Sequence, residues 1–169
     1  MWIYRLAKRE EVVSLWDYQI ATHRSSDLWM KWKKEYLYYL DHGMALTFAA
    51  FYDGTPVGEG TLLLSPACQA IRGRTVLCDG TEIANINALR IRKAFEGQGH
   101  ISALMRVIEQ EAQQRGFRRL TIGAEAKEAR NGAIYRHWGY DKLVLRAQED
   151  GEEVLYFEKT LLFSMDEDA

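Results

Sequence analysis

Apolar residues recur along this chain with two periods, every second position and every third to fourth, and the alternation between them predicts its elements. Residues 2–6, aromatic and β-branched at Trp2, Ile3 and Tyr4, read as a strand. Residues 8–23 place Val12, Val13, Leu15, Trp16 and Ile20 at helical spacing. Ser25, Ser26 and Asp27 offer capping side chains before a second helical segment, 28–40, and Gly43 is placed to end it. Segments 45–52 and 57–64 read as strands. Asp53, Gly54, Thr55 and Pro56 between them carry turn chemistry, so an antiparallel hairpin is expected. Residues 65–80, with Pro66, two glycines and both cysteines, read as an irregular excursion or a longer hairpin end, and 81–91 as a fourth strand.

The sharpest amphipathic pattern covers 100–115, where Ile101, Leu104, Met105, Ile108 and Ala112 share one face and Gly116 follows as the stop. A strand at 120–124, a short helix at 129–138 ended by Gly139, and two closing strands at 140–145 and 154–161 complete the pattern. The last two join through Glu149, Asp150 and Gly151. The predicted order is strand, two helices, three strands, helix, strand, helix, two strands. That is an α/β chain with a mixed sheet, in a single domain spanning 1–163. Residues 164–169 are polar and acidic and are expected to form a flexible tail.

Composition narrows the function classes. The 22 basic and 24 acidic side chains leave a net charge of −2, without the basic excess of a nucleic-acid binder. No apolar run is long enough to span a bilayer, and the first residues do not have the pattern of a secretory signal, so a cytoplasmic protein with no membrane partner is expected. Cys68 and Cys78 match no zinc spacing; no metal is implied, and reduced thiols are the expected state.

The candidate chemistry lies where 81–91 hands over to the helix at 100–115, through Glu96, Gly97, Gln98, Gly99, His100 and Ile101. The first turn of a helix carries N–H groups without partners at the positive end of its dipole. Glycines on the approach let a phosphate reach them, so a phosphate or diphosphate ligand is expected. A P-loop would need Lys and Ser or Thr after the last glycine, where His100 and Ile101 stand. A dinucleotide fingerprint would need a third glycine at Ser102, and a hairpin precedes the loop here.

FEGQGHISALM, residues 95–105, resembles the acetyl-coenzyme A signature of the GNAT superfamily of N-acetyltransferases, in which Gln or Arg, two residues, Gly, one residue and Gly or Ala open a helix. NGAIYRHWGY, residues 131–140, resembles that family's second motif, and the resemblance covers about 81–145. Two positions depart from the pattern: Glu96 stands where the family usually has Gln or Arg, and Ile101 where it has Gly or Ala. A carboxylate beside a diphosphate is unfavourable, and Arg92, Lys93 or His100 are placed to supply counter-charge.

The resemblance implies a mainly antiparallel mixed sheet flanked by helices. It also implies an enzyme that passes acetyl from acetyl-CoA directly to the amine of a small molecule or peptide. Leu89, Ile91, Glu96, Gly97, Gln98, Gly99, His100, Ile101, Ser102 and Asn131 are the implied cofactor-binding residues, with backbone N–H groups near 89–91 for the acetyl oxygen. Asn131 and Tyr135, four apart, share a helix face, and the matching tyrosine in the family protonates the departing thiolate. The family's frequent base on the fourth strand falls at Asn85, which has no carboxylate; Glu59 and Glu82 are the candidates left. Trp29, Trp32, Tyr36 and Tyr39 form a stripe that either packs in the core or borders an amine site. A homodimer is the family's expectation. A non-catalytic acyl-CoA-binding module and a nucleotide-binding domain are the alternative readings.

Overall fold

Among the described residues, seven strands join in one sheet in the order β1-β2-β3-β4-β5-β7-β6, and four α-helices cover its faces. A computed structural model describes residues 1–162, so the expected tail at 164–169 lies outside the described residues. The elements are β1 (Trp2–Leu6), α1 (Arg9–Thr22), α2 (Ser26–Asp41), β2 (Ala45–Tyr52), β3 (Thr55–Leu63), β4 (Ile83–Ile91), α3 (His100–Gln114), β5 (Arg119–Glu125), α4 (Ala129–His137), β6 (Lys142–Glu149) and β7 (Glu152–Thr160). Their order is the predicted one, and the sheet is mixed and mainly antiparallel. Only β4 and β5 run parallel, because the chain crosses between them through α3.

The boundaries differ from the sequence reading at the two hairpin loops, at the start of β4 and at the start of α2. The β2–β3 loop is two residues, Asp53 and Gly54, at φ 48° and 86°, and the β6–β7 loop is Asp150 and Gly151 at φ 52° and 82°. Two successive left-handed residues match the twist of a hairpin, so Thr55, Pro56 and Glu149 belong to strands rather than turns. Pro56 lacks an N–H for the ladder, and it sits beside a register shift at Ala50/Phe51. β4 begins at Ile83 because Asp79 Oδ1 accepts the N–H groups of Thr81, Glu82 and Ile83, each at 2.9 Å, which holds 79–82 in a turn. Likewise α2 starts at Ser26, with Asp27 in its first turn and no side-chain cap.

Both faces of the sheet carry a core. Leu104, Met105, Ile108 and Ala112 of α3 pack on Phe48, Leu62, Ile86 and Ile122. On the other face Val12 and Trp16 of α1 meet Tyr36 and Tyr39 of α2 over Leu63 and Leu77. Each fully buried side chain of this size contributes about 1.5–3 kcal/mol. Strand β3, covered on both sides, is accordingly buried from Pro56 to Leu63. Among the described residues no helix is long and apolar enough to cross a membrane.

Candidate active site

The site forms where two neighbouring strands part. Strands β4 and β5 pair only from Ile83 to Ile86 and from Arg119 to Ile122. Beyond that, β4 continues to Ile91 and β5 to Glu125 without bonding each other. A bulge bends β4 there: Glu59 faces Arg90 and Thr61 faces Asn87, so Ala88 and Leu89 share the single opposite residue Gly60. Ala88 takes φ 53°, a left-handed conformation that costs about 1 kcal/mol or more outside glycine. Residues 87–91 therefore present an unpaired strand edge to the fork.

A cleft of ≈ 430 Å³ opens on the α3–α4 side. Leu89, Ile91, Glu96, Gly97, Gly99, His100, Ile101 and Ser102 line one wall, with Asn131 and Tyr135 of α4 opposite. Gln98 does not line the cleft; it points its Oε1 at His100 Nε2, 3.2 Å away. The first backbone bond of α3 runs from Ala103 N–H to Gly99 O, so the N–H groups of His100, Ile101 and Ser102 have no acceptor within the helix. Gly97 and Gly99 hold φ 75° and 88°, and a Cβ on either would meet nothing within 4 Å, so open space lies before those donors.

Strand β1 fixes this loop from behind. The His100 ring stacks on Trp2 with centroids 3.5 Å apart, and its Nδ1 lies 2.7 Å from Tyr4 Oη. Both ring nitrogens are engaged, Nε2 with Gln98 Oε1 and Nδ1 with Tyr4 Oη. Arg130 lines the cleft and was not singled out by the sequence reading; Arg90 also borders it, but its guanidinium is paired with Glu59 and lies over the Trp16 and Trp29 rings, on the α1–α2 side of the sheet. Arg92 instead lies 3.9 Å above the Tyr18 ring, and neither Arg92 nor Lys93 reaches the cleft. Phe95, Ile134 and Trp138 complete the wall.

Asn131 and Tyr135 share the α4 face that borders the cleft, as their spacing requires. Asn131 Nδ2 donates to Glu128 Oε2 at 2.9 Å. Burial, with the Glu128 charge adding to it, raises the Tyr135 phenol above its ordinary value, so the hydroxyl keeps its proton at neutral pH.

The two candidate carboxylates sit elsewhere. The Glu59 side chain is only 1% exposed. Its Oε1 accepts from Arg90 Nη2 at 3.4 Å, while Arg90 Nε lies 3.3 Å from Oε2 without the alignment of a hydrogen bond. Burial pushes this carboxyl up and the Arg90 charge opposes the shift. Glu82 lies outside β4, exposed, 3.3 Å from Arg119 Nη2 and at the closed end of the fork. Asn85 is buried and donates to Thr121 Oγ1 at 2.9 Å, away from the cleft.

The Acetyltransferase (GNAT) family model matches residues 9–140. The chain belongs to the GNAT acetyltransferase family. No curated protein matches it at the level of sequence. Its fold is that of solved GNAT-type structures. An N-acetyltransferase from Staphylococcus aureus Mu50 superposes with a TM-score of 0.68 at 15% identity, over 96% of this chain and 99% of that one. A Salmonella typhimurium acetyl transferase that modifies the N-terminal serine of ribosomal protein L7/L12 gives 0.67 at 16% identity, over 95% of each chain. A GNAT family acetyltransferase from Elizabethkingia anophelis, solved with acetyl-CoA bound, gives 0.54 at 16% identity, over 73% of this chain and 82% of that one.

As a GNAT member the chain is an acetyl-CoA-dependent N-acetyltransferase. Two further cavities connect to its cleft by shared walls. One of ≈ 230 Å³ lies inside the fork and shares Leu89 and Tyr135 with the cleft. The other, ≈ 480 Å³, lies against α1 and α2 and shares Asn87 and Glu149 with the fork cavity. Of the aromatic stripe, Trp32 and Tyr36 line this last cavity, Trp29 stacks on His23, and Tyr39 is buried. The stripe thus serves both the core and a cavity wall.

Proposed function

We propose that the diphosphate of acetyl-CoA rests on the N–H groups of His100, Ile101 and Ser102, with the pantetheine arm passing Asn131 into the fork between β4 and β5. The observation that carries this reading is the open, glycine-approached start of α3 facing a cleft that leads to the unpaired edge of β4. Arg130, which lines the cleft, offsets the Glu96 charge beside the phosphates. Backbone N–H groups near 89–91, on the edge freed from β5 and beyond Ala88, whose own N–H is taken by Asn87 Oδ1 at 2.8 Å, hydrogen-bond the acetyl oxygen as charge builds on it. A primary amine entering from the α1–α2 side attacks the thioester carbon directly, and the Tyr135 hydroxyl protonates the leaving sulfur. The acceptor is the amine of a small molecule or a peptide terminus.

Thiol release from acetyl-CoA, measured with spermidine, phenethylamine and a serine-ended peptide as acceptors, tests this. Tyr135→Phe is expected to lower kcat by about a hundredfold with the Kd for CoA nearly unchanged. Gly99→Val, which fills the space before the donors, is expected to weaken CoA binding by at least about tenfold. Unaltered CoA affinity in Gly99→Val would show that the phosphates dock elsewhere, and unaltered kcat in Tyr135→Phe would remove it from the chemistry.

A further inference from the structure

We propose that Glu149 is the base that takes the proton of the incoming ammonium, a proposal that rests on the acetyltransfer route above. Glu149 is the last residue of β6, and with Asn87 it forms the wall between the fork cavity and the cavity under α1 and α2. The fork cavity also touches Leu89 and Tyr135, which belong to the cofactor cleft. A carboxylate at this junction meets an amine on its way from the outer cavity to the thioester. Neither Glu59 nor Glu82 lines any of the three cavities.

The carboxylate is held in a set orientation. Tyr156 Oη donates to Glu149 Oε2 at 2.5 Å, and Arg74 Nη1 donates to the same oxygen at 2.8 Å. Both bonds converge on Oε2, and among the described residues no hydrogen bond reaches Oε1, which is free to accept an N–H from the substrate. Burial and the Glu149 contact push the Tyr156 phenol up to about 12, so it acts as a donor throughout the working range. The Tyr156 ring lies flat on Gly123 of β5, where an added Cβ would come within 2.7 Å of it, so the fork itself seats the residue that orients Glu149.

Other charges face this carboxylate across the outer cavity. Lys31 and Glu35 stand 4.0 Å apart on α2, and Arg72 and Asp150 lie 3.9 Å apart beside the hairpin tip. Arg90 of β4 is already paired with Glu59, and Glu152 is Glu149's register partner on β7. Glu125 also lines the fork cavity, but it lies 3.6 Å from Lys127 and does not reach the outer cavity; among the described residues Glu149 is the carboxylate that lines both.

The proton balance closes. Oε1 takes one proton from the ammonium. The nitrogen lone pair then forms the C–N bond while the carbonyl π pair moves to oxygen. Collapse of the tetrahedral intermediate breaks the C–S bond; sulfur leaves with the electron pair and takes the Tyr135 proton. The second nitrogen proton returns through water to the Tyr135 phenolate, and the Glu149 proton passes to solvent.

The test is a pH profile of kcat/KM with saturating acetyl-CoA and the fastest of spermidine, phenethylamine and the serine-ended peptide. Glu149→Gln is expected to lose about a hundredfold at pH 7 and to regain rate tenfold per pH unit until the amine sheds its own proton, at about 10 for spermidine or phenethylamine and about 8 for the peptide terminus. Tyr156→Phe keeps the ring and removes one donor to the carboxylate, so the acid limb of the profile is expected to shift to higher pH; this variant serves if Glu149→Gln fails to fold. A Glu149→Gln rate within threefold of the parent, or a profile of unchanged shape, overturns the proposal, as does an unmoved acid limb in Tyr156→Phe. Absence of turnover by the parent chain with all three amines would instead overturn the acetyltransfer route itself.

Discussion

Replacing Arg90 with Met measures what the buried Glu59–Arg90 pair does for the fold. Arg90 leaves a carboxylate with 1% of its side chain exposed to be matched at 3.3–3.4 Å, and its guanidinium lies 4.6 Å from the Trp16 ring and 5.0 Å from the Trp29 ring. Met keeps the apolar stem and removes the charge. Breaking one side of such a pair strands a buried ion, at about 3–5 kcal/mol. For a chain of this size the lower figure corresponds to roughly 6–12 °C in melting temperature. The pH dependence carries a sign as well. Burial already holds Glu59 above the ordinary carboxylate value and Arg90 pulls it down; without Arg90 it rises further. From the ordinary value upward the folded variant then binds a proton that the unfolded chain does not, so its stability falls as pH rises. Urea unfolding followed by tryptophan fluorescence at pH 5.5 and pH 8 should show the deficit growing with pH. Glu59→Leu combined with Arg90→Met should regain most of it, since an apolar pair of similar volume carries no stranded charge. An Arg90→Met deficit below about 1 kcal/mol at pH 8, or one equal at both pH values, would refute the reasoning.

Two further outcomes follow from groups away from the cleft. Burial pushes the Cys68 thiol up to about 11 and the Cys78 thiol up to about 12, so a disulfide-exchange reagent at pH 8 should label neither in the folded protein and both in urea; rapid labelling of either native thiol would contradict this. Glu11 accepts from Arg5 Nη1 and Nη2 and from the Lys8 N–H, and the Arg5 hydrogen bond holds its carboxyl below the ordinary value. That contribution is present above the unfolded carboxylate value, about 4.3, and is lost as pH falls through the folded one. Melting temperature against pH between 5 and 3 should therefore fall less steeply in Glu11→Gln than in the parent chain.

The features legible in the sequence are those fixed by near neighbours. Ile101, Leu104, Met105, Ile108 and Ala112 mark one helix face whatever surrounds them, and all but the half-buried Ile101 are buried. Gly97 and Gly99 announce a left-handed approach to the start of α3 through chemistry carried in a few residues. The hairpin positions were legible too, although their lengths depended on Asp-Gly pairs taking two left-handed conformations in succession. Arg90 and Glu149 were not legible, because each enters a cavity through pairings between strands far apart in the chain. Counting back along β4 from the glycine loop assumes unbroken alternation, and the extra residue at Ala88–Leu89 offsets that count.

That extra residue ties the parts of the site together. Gly60 faces the bulge, and a Cβ there would come within 2.9 Å of Leu89 Cδ1 and 2.8 Å of Ile108 Cδ1. The missing side chain on β3 therefore makes room for Leu89, which the bulge places between the cofactor cleft and the fork cavity. In turn, β4 leaves β5 four residues after their pairing begins, which frees a strand edge next to Tyr135 and opens a path to Glu149. An ideal ladder through 87–91 would pair those N–H groups with β5 and close both cavities. Chemistry is available here because the sheet departs from regularity at one point, and the strain at Ala88 is offset by the cores packed on both faces.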